Sequence, residues 1–229
     1  MLIYRVFQGS TPDQLALVNL HRERDYEQMV SPFIRPAELE DLSNLYRVAI
    51  RTGDSGSDAT GMFRNDDMVG EVYVGPYVTL EPKTCFVLDS EGTAVGYGLC
   101  VIDTESFQSS ALEEWWPKLQ EKYRYLFEFA DTEWLIHEIF YPSPSPSDIL
   151  REYPSHGHID LLPEFQGKGW GRKVMETMET ALTSLGSPGF HLRVSVHNSR
   201  GLKFYAALGY EEIARRESEV VVGKKLNRE

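Results

Sequence analysis

The last third of the chain alternates strand-like and helical patterns, and this regularity restricts the fold more than any other feature of the sequence. Short apolar runs and amphipathic runs follow one another, with a clear stop at Gly186-Ser187-Pro188-Gly189. The strand patterns are 159–162, 191–196, 210–214 and 219–222, and the helical patterns are 172–185 and 199–208. Such alternation is typical of α/β proteins, so the sequence predicts a sheet flanked by helices.

The rest of the chain divides into an extension, a main domain and an insertion. Residues 1–31 carry separate strand and helix patterns and are predicted to be an N-terminal extension, with residues 32–229 forming the main domain. Residues 105 to about 155 interrupt that domain with a helical insertion. The other predicted elements are a helix over about 38–51, a loop with a short helical stretch over 52–80, strands at 84–88 and 95–103, and a helix over 112–125.

Charge and cysteine content exclude some classes of partner. The 229 residues include 23 Lys and Arg against 35 Asp and Glu, a formal net charge of −12, which disfavours binding to nucleic acid or to anionic membranes. Both cysteines, Cys85 and Cys100, lie in apolar segments and are expected to be reduced. With no signal-peptide pattern and no apolar run long enough to span a membrane, we expect a cytoplasmic protein without a membrane partner.

A glycine-rich turn, Gln166-Gly167-Lys168-Gly169-Trp170-Gly171, joins a predicted strand to a predicted helix. Glycines in that position let backbone N–H groups converge on an anion at the positive end of the helix. The turn lacks the Ser or Thr that follows Gly-Lys in a Walker loop, and its glycines are not spaced as in a dinucleotide-binding fingerprint. An anion site of another kind is therefore predicted.

The turn resembles the R/Q-x-x-G-x-G/A signature of the GNAT acetyltransferases, which bind the pyrophosphate of acetyl-CoA there. A second segment, from Asn198 to Tyr210, is similar to the family's next motif and follows in the expected order. Over about 32–215, including Trp115-Trp116-Pro117 and Tyr153-Pro154-Ser155-His156, the chain resembles microbial members similar to the C-terminal acetyltransferase-like domain of O-GlcNAcase. The resemblance implies a GNAT fold: a mixed central sheet, splayed at the acetyl-CoA cleft, with flanking helices.

The resemblance also implies a reaction and a set of residues. Acetyl-CoA would be the co-substrate, no metal would be needed, and a small-molecule or peptide amine would attack the thioester directly. Backbone groups of Leu161, Leu162 and Pro163 would pair with pantetheine, and one of their N–H groups would stabilise the oxyanion. Tyr205 would be the general acid, although its position also suits a core aromatic residue. The implied cofactor-binding residues are Leu161, Leu162, Pro163, Gln166, Gly167, Lys168, Gly169, Trp170, Gly171, Arg172, Asn198, Arg200, Phe204 and Tyr205.

The role of Asn198 and the oligomeric state have more than one interpretation. Asn198 can bind pantetheine, cap the following helix, or do both. A homodimer is compatible with the sequence but not indicated by it.

The general base is less clearly indicated. His156, His158 and Asp160 alternate, so a strand would place them on one face. Asp160 or His158 could act as the base through a water molecule, but buried structural polar groups or a metal site would show the same pattern. If no base exists, the alternative function is a non-catalytic acyl-CoA-binding module.

Two further features bear on the acceptor. The polar loop around Asp54-Ser55-Gly56-Ser57-Asp58 is either an ordinary surface loop or an acidic loop facing a cationic acceptor. The insertion is rich in aromatic residues, which form either its own core or a lid over the substrate. These residues are Trp115, Trp116, Tyr123, Phe127 and Trp134.

Overall fold

A computed structural model describes residues 31–144 and 147–226. The predicted strand and helix of the N-terminal extension lie outside these residues. Seven strands form one sheet in the order β1-β2-β3-β4-β5-β7-β6. Their bounds are β1 Phe33–Pro36, β2 Cys85–Ser90, β3 Thr93–Val101, β4 Ser155–Leu161, β5 Gly189–Ser195, β6 Glu211–Arg215 and β7 Glu219–Lys225. All neighbouring strands are antiparallel except β4 and β5, so the predicted mixed sheet is confirmed.

The one parallel pair is also the point where the sheet opens. Strands β4 and β5 are paired only at Ser155 with Phe190 and at His156 with His191. Beyond these positions the two strands separate toward their carboxyl ends and leave a gap, which we call the wedge. Ligands of open α/β sheets bind outside the carboxyl ends of the strands, where the wedge is widest.

The helices cover both faces of the sheet around this opening. Their bounds are α1 Leu42–Thr52, α2 Asp67–Tyr73, α3 Gly75–Leu80, α4 Thr104–Glu114, α5 Trp116–Lys122, α6 Trp134–Phe140, α7 Ser147–Leu150, α8 Trp170–Ser184 and α9 Ser199–Ala207. Helix α8 packs closely on β3, because a Cβ at Gly98 would lie 2.4 Å from Val174 and 2.6 Å from Met178. A side chain at Gly98 would therefore push α8 away from the sheet.

Three predicted elements differ from the structure in their bounds. The segment 52–80, expected to be a loop with one short helical stretch, contains two helices, α2 and α3. The helix expected over 112–125 is broken between α4 and α5, because Pro117 cannot continue a helix but fits the first turn of a new one. The strand expected over 159–162 begins earlier, because β4 spans Ser155–Leu161.

The insertion is attached to α2 through a buried carboxylate. The Glu71 carboxylate accepts a 2.5 Å hydrogen bond from the Tyr123 hydroxyl and forms an ion pair with Lys122. The Glu71 backbone carbonyl accepts a 2.9 Å hydrogen bond from the Trp115 indole N–H. Tyr123 and Trp116 are buried, as expected if these aromatic residues form the core of the insertion. Trp134 and Phe127 are exposed instead. Within 31–144 and 147–226, no helix is both long and apolar enough to cross a membrane.

Candidate active site

The glycine turn follows β4 and leads into α8 at the open end of the wedge. Gly167 and Gly169 have φ angles of 71° and 85°, which L side chains rarely adopt, and an added Cβ at either would meet no atom within 4 Å. The first N–H groups of α8 have no partner inside the helix and point out of its N-terminus. The turn is thus an open cradle of backbone donors, and an anionic phosphate group fits it.

Side chains around the turn hold it against its neighbours. The Gln166 Nε2 donates a 2.7 Å hydrogen bond to the Leu161 carbonyl, so this side chain ties the turn to the end of β4. A Cβ at Gly171 would lie 3.2 Å from the Phe204 ring, which explains why the start of α8 can pack against α9. The charged side chains Lys168 and Arg172 are exposed at the turn, Arg200 is exposed at the start of α9, and Lys173 lies 4.2 Å above the Trp170 ring.

The end of β4 offers one free amide donor among the three predicted residues. The Leu162 N–H donates a 3.0 Å bond to the Val95 carbonyl, and Pro163 has no N–H. Because N–H groups alternate in direction along a strand, the Leu161 N–H faces away from β3 and into the wedge. Only Leu161 is therefore placed to donate to a group in the wedge.

Asn198 lies at the carboxyl end of the other strand that borders the wedge. Its Oδ1 accepts a 2.7 Å bond from the Gly201 N–H and caps α9, so the predicted helix cap is present. Its amide nitrogen is the part of the side chain that remains for another partner. Nearby, the Ser55 Oγ lies 3.5 Å from the Ser195 Oγ, which brings the acidic loop of 54–58 to the end of β5.

Tyr205 of α9 is buried, with its ring 5.2 Å from Phe204 and 5.8 Å from Tyr210. Burial raises the pKa of its hydroxyl above the ordinary value, and the negative charge of Asp160 raises it further. The two predicted catalytic groups are thus electrostatically coupled. The ring thus packs in the core, and the hydroxyl lies close enough to Asp160 for the carboxylate charge to affect its pKa.

Asp160 lies on β4 opposite Tyr97 of β3, and the Tyr97 hydroxyl donates a 2.6 Å hydrogen bond to its carboxylate. Burial raises the pKa of Asp160 to about 6, and the hydrogen bond from Tyr97 opposes part of that increase. A carboxylate with a pKa near 6 is ionised at neutral pH, yet it is a better proton acceptor than an ordinary aspartate.

His158 and His156 have different surroundings, although they share the face of Asp160. The His158 ring lies 5.5 Å from Tyr73 and 5.2 Å from Tyr77, and burial together with the charge of Arg193 lowers its pKa to about 4. His156 is hydrogen-bonded at 2.6 Å to the Tyr77 hydroxyl and at 2.8 Å to Thr104. The partners of His156 are structural, and no group of three or more His, Cys, Asp or Glu in the described part of the chain could hold a metal ion.

The sequence did not single out Tyr97 or Tyr73. Tyr97 is a bulky residue between Gly96 and Gly98, and a strand places it on the face opposite the glycines. That alternation could have indicated which face of β3 Tyr97 occupies. The contact of Tyr97 with Asp160 depends in addition on the register between β3 and β4.

Comparison with known proteins agrees with this geometry. The model of the acetyltransferase (GNAT) family matches residues 57–210. The crystal structure of SsHAT is 31% identical and superposes with a TM-score of 0.74, covering 86% of this chain and 100% of that one. The PaiA N-acetyltransferase from Thermoplasma acidophilum, in complex with coenzyme A, is 16% identical with a TM-score of 0.54, over 85% of this chain and 99% of that one.

The rat (Rattus norvegicus) protein O-GlcNAcase is 28% identical over 204 residues, which cover 84% of this chain but 22% of that protein. The chain thus spans about a fifth of the length of this curated relative. The predicted similarity to part of O-GlcNAcase is confirmed. Since the family model covers more than half of the sequence, the chain belongs to the GNAT family of acetyltransferases.

Proposed function

We propose that the protein transfers an acetyl group from acetyl-CoA directly to a primary amine. The observation that carries the proposal is the wedge, whose strands are paired at only two positions and which ends at an open glycine turn. An extended pantetheine arm would fill the wedge, and the pyrophosphate would lie at the turn. Two solved structures of the same fold support this arrangement: the PaiA enzyme, in complex with coenzyme A, and YncA from Salmonella typhimurium, a putative acetyltransferase with its cofactor acetyl-CoA.

The residues of the turn would bind through their backbone. Gly167 and Gly169 leave the N–H groups accessible, and exposed cations at the turn and at the start of α9 add attraction for phosphate. These cations are Lys168, Arg172 and Arg200. The overall charge of −12 does not oppose such binding, since a nest of N–H groups acts locally.

The Leu161 N–H would polarise the thioester carbonyl. It is the one amide of the predicted three that faces the wedge without a partner on β3. A fixed donor aimed at the developing oxyanion stabilises the tetrahedral state without having to reorganise.

Asp160 would accept the proton that the amine loses. Its pKa of about 6 keeps it ionised at neutral pH, and the bond from Tyr97 fixes one side of the carboxylate. The amine nitrogen would form the N–C bond to give the tetrahedral oxyanion. As the carbonyl re-forms, the C–S bond would break and Tyr205 would give its proton to the departing thiolate.

The two proton transfers would assist each other. The charge of Asp160 is one of the causes that raise the pKa of Tyr205. Once Asp160 has taken the proton of the amine, that charge is neutralised and the Tyr205 hydroxyl becomes a stronger acid. The base step therefore prepares the acid step.

Thermal unfolding with acetyl-CoA tests the binding part of this proposal. Acetyl-CoA should raise the melting temperature of the wild type, and Gly169→Glu should abolish the shift by placing bulk and negative charge in the turn. Gly92→Glu is the matched control, since Gly92 also has a positive φ, 76°, and open space around it, but lies in the hairpin between β2 and β3. No shift in the wild type at millimolar acetyl-CoA would contradict the proposal.

Thiol release with a panel of amines tests the transfer itself. Acetyl-CoA binding together with thiol release that depends on an added amine is the expected result. Binding without any release would favour the non-catalytic acyl-CoA-binding module.

A further inference from the structure

Four rings form a continuous line from the surface to the site. The distances between ring centroids are 5.7 Å from Phe63 to Trp134, 6.3 Å from Trp134 to Tyr73 and 5.5 Å from Tyr73 to His158. We call these four residues the aromatic row. The row combines the loop before α2, the insertion helix α6, the end of α2 and strand β4, so it exists only in the folded chain.

The outer end of the row is exposed but held in place. Trp134 is 55% exposed, so one face of its indole ring is open to a partner in solution. The residues next to Phe63 and Trp134 form an ion pair, in which Arg64 donates to Glu133 at 2.7 Å. Arg64 also lies 3.7 Å above the Phe129 ring. The exposed indole is therefore presented on a fixed support.

Near the inner end of the row, one carboxylate, Glu138, forms no ion pair within the described residues. Burial raises the pKa of Tyr73, and the negative charge of Glu138 raises it further. Arg193 carries a positive charge close to Tyr73 and His158, and its partner Glu219, at 2.7 Å, is shared with Arg216 at 3.5 Å. Glu138 accepts bonds only from the neutral Ser143, at 3.0 Å from its N–H and 2.9 Å from its hydroxyl, among the residues described. Its negative charge is left without a cationic partner at contact distance.

The row also leads to the reacting groups. His158 precedes Asp160 by two residues on the same face of β4, a separation of about 7 Å along a strand. Aromatic faces and a carboxylate that has no ion-pair partner at contact distance together attract an ammonium group. An acceptor that lies along the row would thus reach the proposed base with its nitrogen.

We propose that the aromatic row is the acceptor-binding surface and that it takes an unbranched alkylammonium group, as in a lysine side chain or a polyamine. This inference rests on the proposed function and names its substrate class. Trp134 and Tyr73 contact the alkyl chain and the cation, and Glu138 supplies the opposite charge. The test below includes one probe from each source, a lysine derivative and a polyamine.

Replacing Trp134 tests the row directly. Two probes are alkylammonium acceptors: Nα-acetyl-lysine methylamide, whose side-chain amine is free, and spermidine. The third probe, glucosamine, is a compact polar amine. Trp134→Ala should raise the KM of the preferred alkylammonium probe about tenfold and change the KM of acetyl-CoA and kcat by less than about twofold. Trp134→Phe should recover most of the loss. Phe127→Ala is the matched control, because Phe127 is 53% exposed on the same insertion but packs on Phe140, outside the row.

Glu138→Gln tests the charge without removing the hydrogen-bond acceptor for Ser143. It should raise the KM of the alkylammonium probe several-fold, and added salt should reduce the difference from the wild type. Preference for glucosamine, or equal effects of Trp134→Ala and Phe127→Ala, would overturn the inference.

A binding measurement separates this inference from the proposed function. Calorimetric titration of the CoA-loaded protein with spermidine and with the lysine derivative should show weaker binding to Trp134→Ala than to Phe127→Ala. If acetyl-CoA raises the melting temperature but neither amine binds differently to the two variants, the row is not the acceptor site. If acetyl-CoA gives no shift, the proposed function itself fails.

Discussion

The Tyr97 hydroxyl and the Asp160 carboxylate are joined by a 2.6 Å hydrogen bond between neighbouring strands, in the part of β4 that borders the wedge. The bond fixes the carboxylate but does not offset the cost of burying it, since the pKa of Asp160 stays raised at about 6. Ionised Asp160 therefore destabilises the fold, a cost that is common at functional sites.

Asp160→Asn should stabilise the protein at neutral pH. Because its pKa is raised on folding, Asp160 does not lower the free energy of unfolding below about pH 3.9. It lowers that free energy increasingly between about pH 4 and 6, and by a constant amount above pH 6. At pH 7.5 the variant should gain about 1–3 kcal/mol in the free energy of unfolding by urea, and almost nothing at pH 4. The amide oxygen can still accept the bond from Tyr97.

Asp41→Asn is a control of opposite sign. The hydrogen bond from Arg35 lowers the pKa of Asp41, so its ionised form stabilises the fold at neutral pH and that contribution is lost as the pH falls. The Asp41 variant should be less stable than the wild type at pH 7.5. Loss of stability in Asp160→Asn at that pH would contradict the raised pKa. Loss of amine-dependent thiol release in the same variant is expected if Asp160 is the base.

Tyr205→Phe should lower turnover by about 100-fold or more and leave acetyl-CoA binding nearly unchanged. The substitution removes the proposed proton donor but keeps the ring that packs on Phe204 and Tyr210. Steady-state kinetics and the thermal shift with acetyl-CoA check the two halves of this prediction. Tyr210→Phe is the matched control, because its hydroxyl donates to Glu179 and not to the site. Equal turnover in the wild type and Tyr205→Phe would exclude the acid role.

Glu71→Ala should lower the free energy of unfolding by about 2–3 kcal/mol, because it leaves the buried Tyr123 hydroxyl and Lys122 without their partner. Glu71→Gln keeps an acceptor for Tyr123 and should lose less. Lys122→Met removes only the partly exposed partner of the pair and should cost about 1 kcal/mol or less. Denaturation by urea measures all three, and an equal loss in Lys122→Met and Glu71→Ala would contradict the central role of the carboxylate.

The parts of the fold that depend on local signals could be predicted from the sequence. The glycine turn is one example, because the positive φ angles of Gly167 and Gly169 require glycine whatever surrounds them. The alternation of strands and helices after Ser155 is another. Both follow from residues that lie close together in the chain.

The parts that depend on contacts between distant residues could not be predicted in this way. The separation of β4 from β5 followed from the family resemblance only, since no local pattern encodes missing pairs. Tyr97 and Asp160 are 63 residues apart, and their contact depends on the strand register. Similarly, the Leu162 N–H donates to the Val95 carbonyl, so Leu161 has the N–H that faces the wedge. This could be decided only once the strand next to β4 was known.

The sparse pairing of β4 with β5 has a mechanical consequence. With main-chain bonds at only two positions, the strands on either side of the wedge are held together mainly by side chains of a shared core, including Leu162 and Leu192. Side-chain contacts restrain the relative movement of two strands less than a ladder of directional hydrogen bonds does. The β4–β5 boundary is therefore the most easily deformed part of the sheet. A ligand bonded to both edges would act as a brace, and amide hydrogen exchange along β4 and β5 should slow together when it binds.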